Sequence, residues 1–87
     1  MPDHKLLNIE NRYCVAFMLA KGATLLGDPS WYGNNAVFHF EDSTFTRNLR
    51  SEYEGNGLVN VMTFREKYEW TWDIIMEHRR ETEGRER

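Results

Sequence analysis

Hydrophobic positions along this chain fall into one dense block, one alternating run and two helical stripes. The block is Tyr13 to Ala20, eight apolar residues in succession, closed by Lys21-Gly22. Ile9, Tyr13, Ala16, Phe17 and Ala20 recur at helical spacing on one face, and Cys14, Val15, Met18 and Leu19 fill the others. Asn8 is the candidate N-cap, and Gly22 supplies the left-handed residue that stops the helix. A helix that is apolar on every side must be covered on every side. Ala23 to Leu26 is a short strand candidate, broken at Asp28-Pro29-Ser30 because proline cannot donate to a ladder. Trp31-Tyr32 and the turn residues Gly33-Asn34-Asn35 lead into the clearest strand, Ala36 to Phe40, where Ala36, Phe38 and Phe40 point one way and Val37 and His39 the other.

Asp42 or Ser43 caps a second helix with Phe45, Leu49 and Tyr53 on one face, and Gly55-Asn56-Gly57 ends it. Leu58 and Val59 are extended, and Asn60 caps a long last helix. Its inner stripe reads Val61, Phe64, Tyr68, Thr71 and Ile75, flanked by Trp72, Ile74 and Met76. Trp70 falls about 120° away from Phe64, outside that stripe. From Glu77 to Arg87 the chain is almost wholly charged, with four Glu and four Arg, and residues 82–87 are expected to fray. The elements predict an α+β fold: a two-stranded antiparallel hairpin packed against three helices, order α-β-β-α-α, in a single small domain over residues 1–87.

Three stretches carry a resemblance. They are Tyr13 to Gly22 with Leu25-Leu26-Gly27, then Val37-Phe38-His39-Phe40-Glu41-Asp42, then Gly57 to Tyr68. Together they span about 60 residues and resemble a family of short bacterial and phage proteins catalogued only as a domain of unknown function. That family shows an aromatic, an apolar run and an Ala-Lys-Gly close, then alternating Phe with an acidic end, then a glycine before the last helix. Val15 departs from the small residue usual at its position. These are packing and capping patterns, so the resemblance implies a fold and a bacterial, phage or mobile-element setting but no reaction.

Composition narrows the function by exclusion. The net charge of −3 over 87 residues argues against a general polyanion binder. Cys14, the single cysteine, cannot staple the fold and sits in the apolar block as a small hydrophobe. With no signal-peptide pattern and no run near the ~20 apolar residues a bilayer span needs, the expected setting is cytoplasmic and away from membranes. Gly55-Asn56-Gly57 lacks the Lys-Ser/Thr close of a phosphate loop. Glu69, Asp73 and Glu77 recur every four residues and read as a solvated face, His39 as a residue on the solvent side of the strand or under a helix edge, and His78 as a helix-end cap. No catalytic residue, metal ligand or cofactor is assigned. An enzyme using His39 with an acidic neighbour is the weakest reading.

Binding fits better. Trp31 and Tyr32 near the hairpin turn, Arg47 and Arg50 on the second helix, and Trp70 off the inner stripe are the candidate partner-binding residues. The reading is a non-catalytic interaction module that binds another protein. The rival is a nucleic-acid-binding accessory protein using Trp31, Tyr32, Arg47 and Arg50. A homodimer is expected too, because the apolar helix has little to cover it and nothing in Ala36 to Phe40 blocks a strand edge.

Overall fold

The chain enters its fold as a strand, not as a helix. In the computed structural model, which describes residues 5–85 and side chains through Arg79, the elements are β1 (Leu6–Ile9), α1 (Arg12–Ala20), β2 (Ser30–Tyr32), β3 (Asn35–Glu41), α2 (Thr44–Glu54) and α3 (Val61–Arg85). The fold is α+β, as expected. The sheet, however, is three-stranded and antiparallel, ordered β1-β3-β2, so the two-stranded hairpin and the order α-β-β-α-α are corrected to β-α-β-β-α-α. The physical reason lies in the cap. Asn11, not Asn8, accepts from the Tyr13 and Cys14 backbone amides at 2.9 and 3.4 Å. A helix that starts at Arg12 releases residues 6–9 to extend. Leu7 and Ile9 then oppose Phe40 and Phe38 on one face of the sheet, which is the period of a strand.

Ala23 to Leu26 does not form the partner strand. Leu25 makes an isolated bridge to Phe40, and the hairpin partner is Ser30–Tyr32, which follows Pro29 rather than preceding it. The far end of α1 behaves as read. Gly22 takes φ +105°, its amide reaches the Leu19 carbonyl at 3.1 Å, and the Ala23 amide reaches Met18 at 3.0 Å. That pair of bonds is a Schellman close, which needs a left-handed residue where glycine stands.

Cys14 to Leu19 are all buried, and Val15, Ala16 and Met18 have no exposure at all. The cover comes from within one chain. Ile9, Phe38 and Phe40 of the sheet, Leu49 of α2 and Ile75 of α3 join Cys14, Val15, Met18 and Leu19 in one buried cluster. Strand β3 is paired on both sides. Both observations that suggested a homodimer, an uncovered apolar helix and an open edge on Ala36 to Phe40, are therefore met inside the monomer. Tyr13 corrects the reading of its face: it is 55% exposed, although its ring stacks on Tyr68 at 5.0 Å.

Ser43 is the cap of α2, in a reciprocal box with Thr46. Of the stripe read there, Leu49 is buried, Tyr53 half-buried and Phe45 exposed. After α2 the chain doubles back tightly. The Gly57 amide donates to the Glu52 carbonyl at 2.6 Å, and a Cβ on Gly57 would lie 2.8 Å from that oxygen and 3.0 Å from Phe17 Cζ. Gly57→Ala should therefore cost about 1–3 kcal/mol, as forced overpacking does. Chemical denaturation checks it, and an unchanged midpoint would contradict the close approach.

At ~1.5 Å per residue, α3 is nearly three times the length of α1. It overhangs what it packs on. Thr71 and Ile75 are buried, with Thr71 Oγ1 satisfied by the Tyr68 carbonyl at 2.6 Å, while Val61, read as part of the inner stripe, is exposed. Asn60 caps the helix, accepting from the Thr63 amide at 3.0 Å. The helix is continuous to Arg85. The side chains of the charged 82–87 tail, and residues 86–87 altogether, lie outside the described residues. Among the described residues no helix is long and apolar enough to cross a membrane.

Candidate binding cleft

Where the start of α1 meets the β2–β3 hairpin and the second half of α3, an open cleft of about 480 Å³ forms. Arg12, Trp31, Ala36, Trp72, Ile75 and Arg79 are among its walls. Arg12 is placed by the Asn11 cap as the first residue of α1. Tyr68 and Trp72 are one turn apart on α3 and so share a face. The Arg12 guanidinium lies over both rings, 4.9 Å from Tyr68 and 4.8 Å from Trp72, and Nη2 donates to the Tyr68 hydroxyl at 3.0 Å. Its Nη1 is shut away from solvent with no hydrogen-bond partner. Leaving a buried donor unmet costs about 1–3 kcal/mol, and more when it is charged. Two ring faces return about 0.5–2 kcal/mol each, which compensates the charge but leaves the N–H without an acceptor.

Trp31 forms the opposite wall. Its Nε1 donates to His78 Nδ1 at 2.7 Å, and the Arg79 guanidinium lies 5.3 Å from its ring centre. The bond ties the hairpin to α3 and fixes Nδ1 as the acceptor nitrogen of His78. Trp31 is thus a half-buried, anchored wall, not a free stacking platform.

The other sequence candidates are not among the walls of this cleft. Tyr32 is 64% exposed at the hairpin turn. Arg47 is bound to Asp42, Nη2 to Oδ2 at 2.8 Å, and that hydrogen bond holds the Asp42 carboxyl below the usual carboxylate range against the opposing effect of burial. Arg50 shares a groove with Arg47, Asp42 and Leu7 and borders another with Cys14, Tyr53 and Glu54. Burial pushes the Cys14 thiol above its ordinary range, so it is an inert core residue. Trp70 lies on another flank of α3, beside Leu25 and Ile74, under the Lys67 ammonium at 5.5 Å. The five residues do not make one surface. Arg12, Trp72 and Arg79 were missed as site residues: the i,i+4 pair Tyr68 and Trp72 is visible in the sequence, but nothing local joins it to residue 12.

A second constellation crosses the outer face of the sheet. Ser30 Oγ is 2.8 Å from His39 Nε2, and His39 Nδ1 is 2.7 Å from Asn8 Oδ1. Serine, imidazole and amide oxygen in that order match the layout of a nucleophile, base and orienting group. Yet each residue comes from a different strand, Asn8 directly opposite His39, and neither Ser30 nor His39 lines the Arg12 cleft. The row acts as a polar ladder across β1, β3 and β2. His39→Leu should cost about 1–3 kcal/mol, at ~0.5–1.5 per bond lost, and a fluorophosphonate probe should leave Ser30 unmodified. Stoichiometric labelling of Ser30 would overturn this reading.

Among the described residues no group of three or more His, Cys, Asp or Glu stands close enough to hold a metal ion. The Glu69 row faces solvent, with Glu69 bonded to Arg65 at 3.1 Å. No family model, no curated protein and no solved structure matches the chain.

Proposed function

We propose that this protein is a non-catalytic interaction module that captures a segment of another protein in the Arg12 cleft. The observation that carries the reading is Arg12 itself: a guanidinium lying over two aromatic rings, with a donor left unmet, on a residue that lines a cleft of ligand-binding size. Arginine and tryptophan in a partly desolvated setting are the side chains that dominate protein interfaces. The bacterial or phage setting implied by the resemblance belongs to the same proposal.

Affinity capture from a bacterial host lysate tests it, with wild type beside Trp72→Ala and with bound protein and nucleic acid both identified. Trp72 is 47% exposed, so its loss should spare folding. The expected result is a protein retained by wild type and lost by the variant. Nucleic acid as the only cleft-dependent species would replace it with the rival reading.

A further inference from the structure

Resting on that reading, we infer that the cleft recognises an acidic side chain of the partner segment, with Arg12 as the carboxylate anchor and Arg79 as the second cation. Three observations converge. The unmet Nη1 of Arg12 requires an acceptor, and a carboxylate offers a planar pair of them matched to the guanidinium fork. The cleft walls carry two guanidiniums and one carboxylate, Glu10, on a protein of net charge −3. Among the described residues, neither Arg12 nor Arg79 is paired with an acid.

The remaining walls define what flanks the acid. Trp31, Trp72, Ala36 and Ile75 supply apolar surface for a neighbouring hydrophobic side chain, and Asn34 and Asn35 at the rim offer amides to a peptide backbone. A phosphate chain fits worse. Beyond Trp72, Arg12 also borders a groove that contains Glu69 and Asp73. Those acids repel a polyanion that continues past the cleft more strongly than a single carboxylate held inside it. Because Nη1 is shut away from solvent, a carboxylate reaches it only where a ring over Arg12 gives way, and Trp72 is the more exposed of the two.

The test is selection of a random-peptide display library on the full chain, followed by affinity measurement with a selected peptide. The expected result is enrichment of Asp or Glu at one fixed position beside an apolar residue. Changing that acid to its amide, or Arg12→Met in the protein, should weaken binding ~10–100-fold, the scale of a charge-assisted hydrogen bond lost. Arg79→Gln, at an exposed site, should weaken it in the same direction without touching the core. Peptides that depend on Trp72 but carry no acidic position would overturn the carboxylate inference while leaving the protein-binding reading intact. No enrichment at all would overturn both. Arg12-dependent, sub-micromolar binding of a single-stranded oligonucleotide at physiological salt would overturn it in favour of phosphate.

Discussion

Replacing Phe40 with alanine should remove about 3–5 kcal/mol of stability, the usual cost of truncating a core aromatic. A domain of this length holds roughly 4–13 kcal/mol in total, at ~0.05–0.15 per residue, so the variant should be largely unfolded or close to it. Phe40 has no exposure, sits opposite Leu7 in the central strand, and meets Leu25 from the other side. It therefore joins β1, β3 and the segment after α1 in one place. Urea denaturation followed by tryptophan fluorescence measures the effect. A loss under about 1 kcal/mol would mean that the sheet does not pack as described.

The second large effect separates two rings on the same short helix. Phe17→Ala should also cost about 3–5 kcal/mol. Phe17 is 3% exposed, tilts against Tyr53 at 5.8 Å and lies where Gly57 makes its close approach. Tyr13→Ala should cost far less, because Tyr13 keeps half its surface in water and contributes one stacked contact, worth about 0.5–1.5 kcal/mol. The hydrophobic spacing puts both on one inner face. The structure puts Phe17 between α1 and α2 and leaves Tyr13 at the rim. Equal melting temperatures for the two variants would contradict that division.

Local chemistry made much of the fold legible. The apolar block, the Gly22 close, the Ser43 cap, the stop at Gly55 and the cap at Asn60 all follow from single residues or short spacings, and each acts as those residues do elsewhere. What failed depended on competition between equivalent signals. Asn8 and Asn11 are both good caps, and only the pairing of Leu7 and Ile9 with Phe40 and Phe38, some thirty residues away, decides between them. The position of β2 failed for a similar reason, since Leu25 and Trp31 both lie within reach of β3 and tertiary packing selects the second. The cleft was half legible. The sequence marks Trp31, but its role comes from Arg79 and His78 across the fold, and Arg12 acquires meaning only from Tyr68 and Trp72, which no local pattern connects to it.

Arg12, lying over the Tyr68 and Trp72 rings, is the anchor that we propose for the binding site. Nuclear magnetic resonance of the arginine and tryptophan side chains, in the free chain and on titration with a selected acidic peptide, decides it. In the free chain the Arg12 guanidinium signal should be shifted upfield by the two rings. That signal should move downfield on titration, together with the indole signals of Trp31 and Trp72. An Arg12 signal that coincides with those of solvent-exposed arginines and stays in place, while changes centre on Arg47 and Arg50, would contradict it.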